Sequence, residues 1–315
     1  MLARIANNLF WMARYLERSE HITRYAQVHY FSSIDAPLSI KRENVLESVL
    51  QMAGAYTEYV NRYDQMDERQ VANFIGLDEN NPISVRYSIA RARENARGAR
   101  DSISTELWEA VNTYYHYTNS IDALDIAEQG IYEYTHKILQ YSSIVNGYID
   151  QSLLRDETWS VIHLGQHIER CVQMMRMMVT KLMDLNRIPN NDWASTLRLF
   201  EIVNLLKSTE TYDMSKIYYK DVPNSSYTLE FLTLNAQCPK SIVYNLQQIK
   251  DCIDFISDEK KVEQGSLQFQ ANKMLSTLSY TTIEEISKNP LAFYYECLNQ
   301  LYKLSELLEK KYLTY

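Results

Sequence analysis

The chain has 315 residues, 46% hydrophobic and 23% charged, which fits a folded globular protein of about two domains rather than a disordered one. A net charge of −8 argues against general binding to nucleic-acid phosphates, and the scarcity of breakers (7 Gly and 6 Pro) argues against a turn-rich β fold. The four cysteines, Cys171, Cys238, Cys252 and Cys297, form no C-x-x-C pair, so the sequence predicts a reduced, cytoplasmic setting without zinc or disulfides.

Apolar residues Leu2, Ile5, Leu9, Ala13 and Leu16 recur at helical spacing and predict an amphipathic helix over 2–31. Pro37 interrupts, and a second helix is expected over 41–64. A short helix ending near Ile75 leads into a polar turn closed by Pro82, and 84–117 reads as helix with Gly98 inside it. Asn119 or Ser120 can cap the next short helix, Gly130 breaks it, and 131–149 continues. Asp156 is a good N-cap for a long helix to 184, followed by Pro189 and a helix over 192–209. The tyrosine-rich stretch 213–226 reads mostly as loop, 239–256 as helix, and 257–265 as a charged connector. Helices near 266–278, 281–288 and 291–313 complete the chain. No uninterrupted apolar leader is visible at the start, and no stretch reaches the roughly 18 apolar residues a spanning helix needs.

Two motifs recur in the same order. Ala13-Arg14-Tyr15-Leu16-Glu17-Arg18 is echoed by Gly165-Gln166-His167-Ile168-Glu169-Arg170, and Pro82-Ile83-Ser84-Val85-Arg86-Tyr87 by Pro239-Lys240-Ser241-Ile242-Val243-Tyr244. Ordered self-similarity predicts an all-α fold of two pseudo-symmetric helical-bundle halves from an internal duplication, divided as 1–152 and 153–315.

Three constellations could carry chemistry. Glu20 falls on the apolar stripe of the first helix beside Glu17, and a carboxylate there needs a partner, which Arg24 at i+4 supplies in part. Arg86, Arg93, Arg97 and Arg100 lie within about 60° of one another on a helix, next to an alanine-rich face. Such a stripe suits a clamp for carboxylate or phosphate, or else a set of ion pairs with Glu17, Glu20, Glu94 and Glu169; it is expected to face helix 2–31. His163 and His167 share a face, but the second E-x-x-H of a di-iron bundle is missing, and no metal or cofactor is expected. The methionines crowding 174–183 read as core filler. Phosphate loops and nucleophile elbows are absent.

Met1-Leu2-Ala3-Arg4 with the run Asn8 to Glu20, the central Ser84-Val85-Arg86 with Ala92 to Arg97 and Trp108-Glu109-Ala110-Val111-Asn112, and Leu164 to Arg170 together resemble the bacterial alpha-E domain over essentially the whole chain. Cys171 stands where that family tends to have alanine. The resemblance implies an all-helical protein associated with circularly permuted ATP-grasp ligases and transglutaminase-like peptidases encoded nearby, and a role in peptide synthesis or modification. Two readings follow. One is a non-catalytic partner that docks a ligase or presents its substrate; the other is an enzyme acting on a peptide or amino acid. The candidate ligand-binding residues are Glu17, Arg18, Glu20, Arg93, Glu94, Arg97, Glu169 and Arg170, with an anionic, amino-acid or peptide ligand expected and neither nucleic acid nor membrane as partner.

Overall fold

The computed structural model describes residues 1–34, 42–188, 193–257 and 262–314, and its regular structure there is entirely helical. The chain forms two compact units, 1–166 with 312–315, and 167–311. The repeat spacing divides the sequence elsewhere, because the opening turns of the helix that begins at Glu157 pack with the first unit. Pro37 and Pro189 lie outside the described residues.

The first unit contains α1 (Ala3–Ile34), α2 (Arg42–Ala53), α3 (Tyr56–Arg62), α4 (Glu68–Gly76), α5 (Val85–Gly98), α6 (Thr105–Ser120), α7 (Ala123–Gln129), α8 (Ile131–Gln151) and the start of α9 (Glu157–Asn186). Helix α1 packs on α5 and α8, and α6 closes the ring by packing on both. The apolar stripe of α1 explains the arrangement: Leu9, Phe10, Met12 and Ala13 are fully buried. The alanine face of α5, with Ile89, Ala92 and Ala96, is buried as well. Helices α2 and α4 pack on α1 and α5 respectively and on each other.

The second unit holds the rest of α9 with α10 (Ala194–Ser208), α11 (Tyr212–Tyr219), α12 (Ser225–Leu234), α13 (Ile242–Ile256), α14 (Leu267–Ser279), α15 (Ile283–Lys288) and α16 (Pro290–Leu308). Helix α14 packs on α13 and α16, while bonds from Cys171 to Ile242 O and from Arg176 to Tyr302 tie α9 to both neighbours. Met174, Met175, Met177 and Met178 are fully buried, as filler residues should be. Trp193, just before α10, is 70% exposed.

Several expected helices are divided. The stretch 41–64 breaks at Gly54, whose φ of 74° ends α2. The stretch 84–117 ends at Gly98 and restarts after Ser104, whose side chain caps α6 by accepting from Leu107 N. Asp122, rather than Asn119 or Ser120, caps α7 with a full capping box. The tyrosine-rich segment, which reads mostly as loop in sequence, contains α11, which stops at Lys220 in the left-handed region, and Asn224 then caps α12. Asp156 caps α9 as the sequence predicts, accepting from Trp159 N at 3.2 Å.

The Pro-x-Ser segments build the same device in each unit. Ser84 accepts from Tyr87 N at 3.1 Å and donates to Asp78 O at 2.6 Å; Ser241 accepts from Tyr244 N at 3.1 Å and donates to Asn235 O at 2.6 Å. Each serine therefore starts a helix and closes the preceding loop at once, and both are fully buried. Ser84→Ala and Ser241→Ala should each cost about 2 kcal/mol, the upper range for a lost cap, because a part-buried carbonyl loses its donor too. Urea unfolding of the two variants measures this; a loss of a few tenths of a kcal/mol would reduce the serines to ordinary surface caps.

Candidate functional site

The Glu-Arg segment of α1 lies in the core of its unit. Glu17 and Glu20 are 2% and 6% exposed, and Arg14 is buried beside them in sequence. Carboxylates so placed need charge-assisted partners. Glu20 has Arg24 Nη2 at 3.4 Å on one oxygen and accepts from Asn146 Nδ2 at 3.2 Å on the other. Asn146 accepts in turn from Gln166 Nε2 at 2.9 Å, so α1, α8 and the start of α9 share one polar chain. Glu17 lies 3.6 Å from His21, whose Nδ1 sits 2.9 Å from the Glu17 carbonyl. Arg14 stacks over Trp11 at 4.8 Å, and Arg18 over Tyr15 at 5.5 Å. Burial is the main cause that raises the Tyr15 phenol, aided by Tyr87 and opposed by Arg18, Arg91 and Arg14. Beside this network the fully buried Tyr114 hydroxyl is within hydrogen-bonding range of Ser19 and Ser142; burial pushes its pKa far above the usual phenol range.

The arginine stripe turns the other way. The expectation that it faces α1 is wrong, since the alanines take that side and the guanidiniums of Arg86 and Arg93 lie toward α6. Arg93 donates to Asn112 Oδ1 at 2.9 Å, bonds Glu94 at 2.8 Å and stacks over Tyr115 at 4.8 Å. Arg86 donates to Thr118 O at 3.1 Å and to Ile121 O, where it closes the C-terminus of α6. Arg97 is 66% exposed on its side chain and, among the described residues, pairs with Glu94 alone. Arg93 and Arg97 thus make no bond to Glu17 or Glu20, and a ligand clamped between the two sets is not supported. An exposed pair of this kind is worth about 0–1 kcal/mol, so Arg97 carries little stability.

In the second unit Glu169 is fully buried and accepts from Gln173 Nε2 at 2.8 Å, while Arg170 is half-buried. His167 is held by Asn245: their Nδ1 and Oδ1 atoms are 2.7 Å apart, and Asn245 uses its amide on Ser241 O and Pro239 O. Burial, then the Arg170 charge, pushes the His167 imidazole down to about 3, against a hydrogen bond accepted by Asn245 Oδ1 that favours the charged form. In the first unit His163 stacks on Trp159 at 3.8 Å and faces Asp150 at 3.5 Å. Among the described residues no group of three or more His, Cys, Asp or Glu could hold a metal ion. All four cysteines are free and buried, and burial raises every thiol, Cys252 and Cys297 to about 12.

His167 gives a pH signature with a definite sign. Below about pH 6.5 the unfolded chain takes up a proton that the folded chain refuses until about pH 3, so folding weakens as pH falls through that window. Between pH 6.5 and 5 the loss should be about 1.6 kcal/mol, the slope rising toward about 1.4 kcal/mol per unit as the unfolded histidine becomes fully protonated. Denaturant midpoints of wild type and His167→Gln at the two pH values read it; equal slopes for both would show that His167 is not the group responsible.

A family model described as a predicted alpha-helical domain with a conserved ER motif matches residues 1–313. The chain belongs to the Alpha-E family. Glu-Arg occurs here on α1 at Glu17-Arg18, on α4 at Glu68-Arg69 and on α9 at Glu169-Arg170. This Alpha-E chain is similar to uncharacterized proteins of Mycobacterium bovis and of two Mycobacterium tuberculosis strains, each 22% identical over 309 residues. The match covers 91% of this chain and 34% of each relative, so the Alpha-E chain spans about a third of the length of the curated relatives it matches. No solved structure matches it. Among the described residues no helix is long and apolar enough to cross a membrane.

Proposed function

We propose that this Alpha-E protein is an accessory partner of an ATP-grasp-type amide or peptide ligase system, where it binds or presents a peptide or amino-acid substrate. The observation that carries this reading is the commitment of the charged motifs to the fold. Glu20 is taken up by Arg24 and Asn146, and Glu94 by Arg93 and Arg97. The thiols are buried in their protonated form, which is the wrong state for nucleophilic attack. A partner role is also supported by the relatives, in which a matching segment is one third of a longer chain. A transglutaminase-like protein encoded nearby is the second expected member of the system.

Co-expression with the neighbouring ligase, followed by affinity capture and size-exclusion chromatography, tests the proposal. Co-elution at fixed stoichiometry is expected. Separate elution, together with amide-bond chemistry by the isolated chain that Glu17→Gln abolishes, would replace the partner reading with an enzymatic one.

A further inference from the structure

The first unit contains a cavity of about 60 Å³ between α1, α2, α4 and α8, walled by aliphatic side chains such as Val45, Val49, Val71 and Ile75. It adjoins a groove of about 540 Å³, and Tyr30, Glu68, Ala72, Ile126 and Ile131 line both.

Thr23 lines the cavity, is 2% exposed, and its hydroxyl has no hydrogen-bond partner among the described residues. Threonines inside helices ordinarily bond a carbonyl one turn back, as Thr118 and Thr135 do here. Thr23 forgoes that bond, and an unmade buried hydrogen bond is costly.

The groove supplies charge. Arg42 pairs with Glu68, and burial followed by Glu68 raises the Tyr30 phenol. One turn apart on α4, Arg69 and Asn73 also line the groove, and among the described residues their side chains find no hydrogen-bond or ion-pair partner. A guanidinium and an amide on one helix face suit a carboxylate. The cavity is well below the roughly 150 Å³ that admits benzene, which limits its occupant to a short side chain.

We propose that this cavity and groove bind an α-carboxylate bearing a short side chain that is apolar except for one hydrogen-bonding atom, with threonine as the fitting case. The methyl group meets the aliphatic wall, the side-chain hydroxyl pairs with Thr23, the carboxylate lies on Arg69 and Asn73, and an ammonium lies toward Glu68. A free amino acid and the C-terminal residue of a peptide share the carboxylate and the side chain, and the peptide presents an amide N–H to Glu68 where the free amino acid presents its ammonium.

The assignment rests on the reading that the chain binds an amino acid or peptide. Ligand binding by the isolated protein tests it, whereas co-elution with a ligase tests the partnership, and each result can fail without the other. Calorimetric titration of the full chain would use L-threonine, its isostere L-valine, L-threonine amide and glycyl-glycyl-threonine. Threonine should bind about five- to tenfold more tightly than valine, the worth of one hydrogen bond. Thr23→Val should erase that preference, Arg69→Gln should weaken both by about tenfold, and the amide should bind like the Arg69 variant. Ala72→Leu, at the junction of cavity and groove, should abolish binding in a protein whose circular dichroism is unchanged. Tripeptide binding without free threonine assigns the site to a peptide terminus; the reverse assigns it to the free amino acid. No heat with any ligand, or an unchanged threonine preference in the Thr23 variant, overturns the proposal. The isosteric Thr23 change and the exposed Arg69 change keep the test valid should the leucine variant fail to fold.

Discussion

Gly165→Ala should destabilise the first unit by about 2 kcal/mol net, although alanine is the better helix former by about 1 kcal/mol. A Cβ at Gly165 on α9 would fall inside van der Waals contact of the Phe10 carbonyl oxygen on α1 and 3.0 Å from Ala13 Cβ. The obstacle is backbone within a helix, so it cannot rotate aside as a flexible side chain would, and overpacking of this kind costs about 1–3 kcal/mol or more. Gly147→Ala on α8 is the matched control. Nothing lies within 4 Å of its Cβ, so only the helix-propensity gain of up to about 1 kcal/mol remains. Opposite shifts in denaturant midpoint are expected from two chemically identical substitutions. Equal stabilisation of both would mean that the α1–α9 approach is looser than described.

The second large effect is expected at Lys181. Its side chain is fully buried in α9, with Asp184 one turn on at 3.2 Å and Glu201 of α10 in direct contact. Lys181→Met should cost about 3–5 kcal/mol, because it removes the cation and leaves two part-buried acids facing each other. The double variant Lys181→Met/Glu201→Leu should recover a large part of that loss, since an apolar replacement of both partners avoids the uncompensated charge. A double variant no better than the single one would place the cost in packing rather than charge.

The helices were legible in the sequence wherever periodicity or a cap spoke alone. Asp156 and the two Pro-x-Ser segments announced their helices because a side-chain oxygen in front of an apolar period has few other uses. The chain breaks were harder. Gly98 was visible, yet whether a lone glycine interrupts a helix depends on what the next turn can cap, and Ser104 supplied that cap. Helix α11 was hidden because its tyrosines and polar residues carry no clear apolar stripe; packing against α10 and α12 holds it instead. Of the candidate site, the Glu20–Arg24 pair followed from helical spacing alone. The direction of the arginine stripe did not, since a wheel shows which residues share a face but not which neighbour the face meets. The alanine face was the better guide: small residues mark the closest helix approach, and the arginines then fall to the side. The Thr23 cavity has no sequence signature, because an orphaned hydroxyl looks like any other helical threonine.

The placement of the four tryptophans gives the two units separate optical signals. Trp11, Trp108 and Trp159 belong to the first unit, where each stacks with an arginine and is shielded in part from solvent. The second unit has only Trp193, which already stands mostly in water. Indole emission on heating therefore follows the first unit almost alone, while far-ultraviolet ellipticity weighs the helices of both. A single transition temperature in the two signals means that the units melt together, and two temperatures give the stability of each from one sample without cutting the chain.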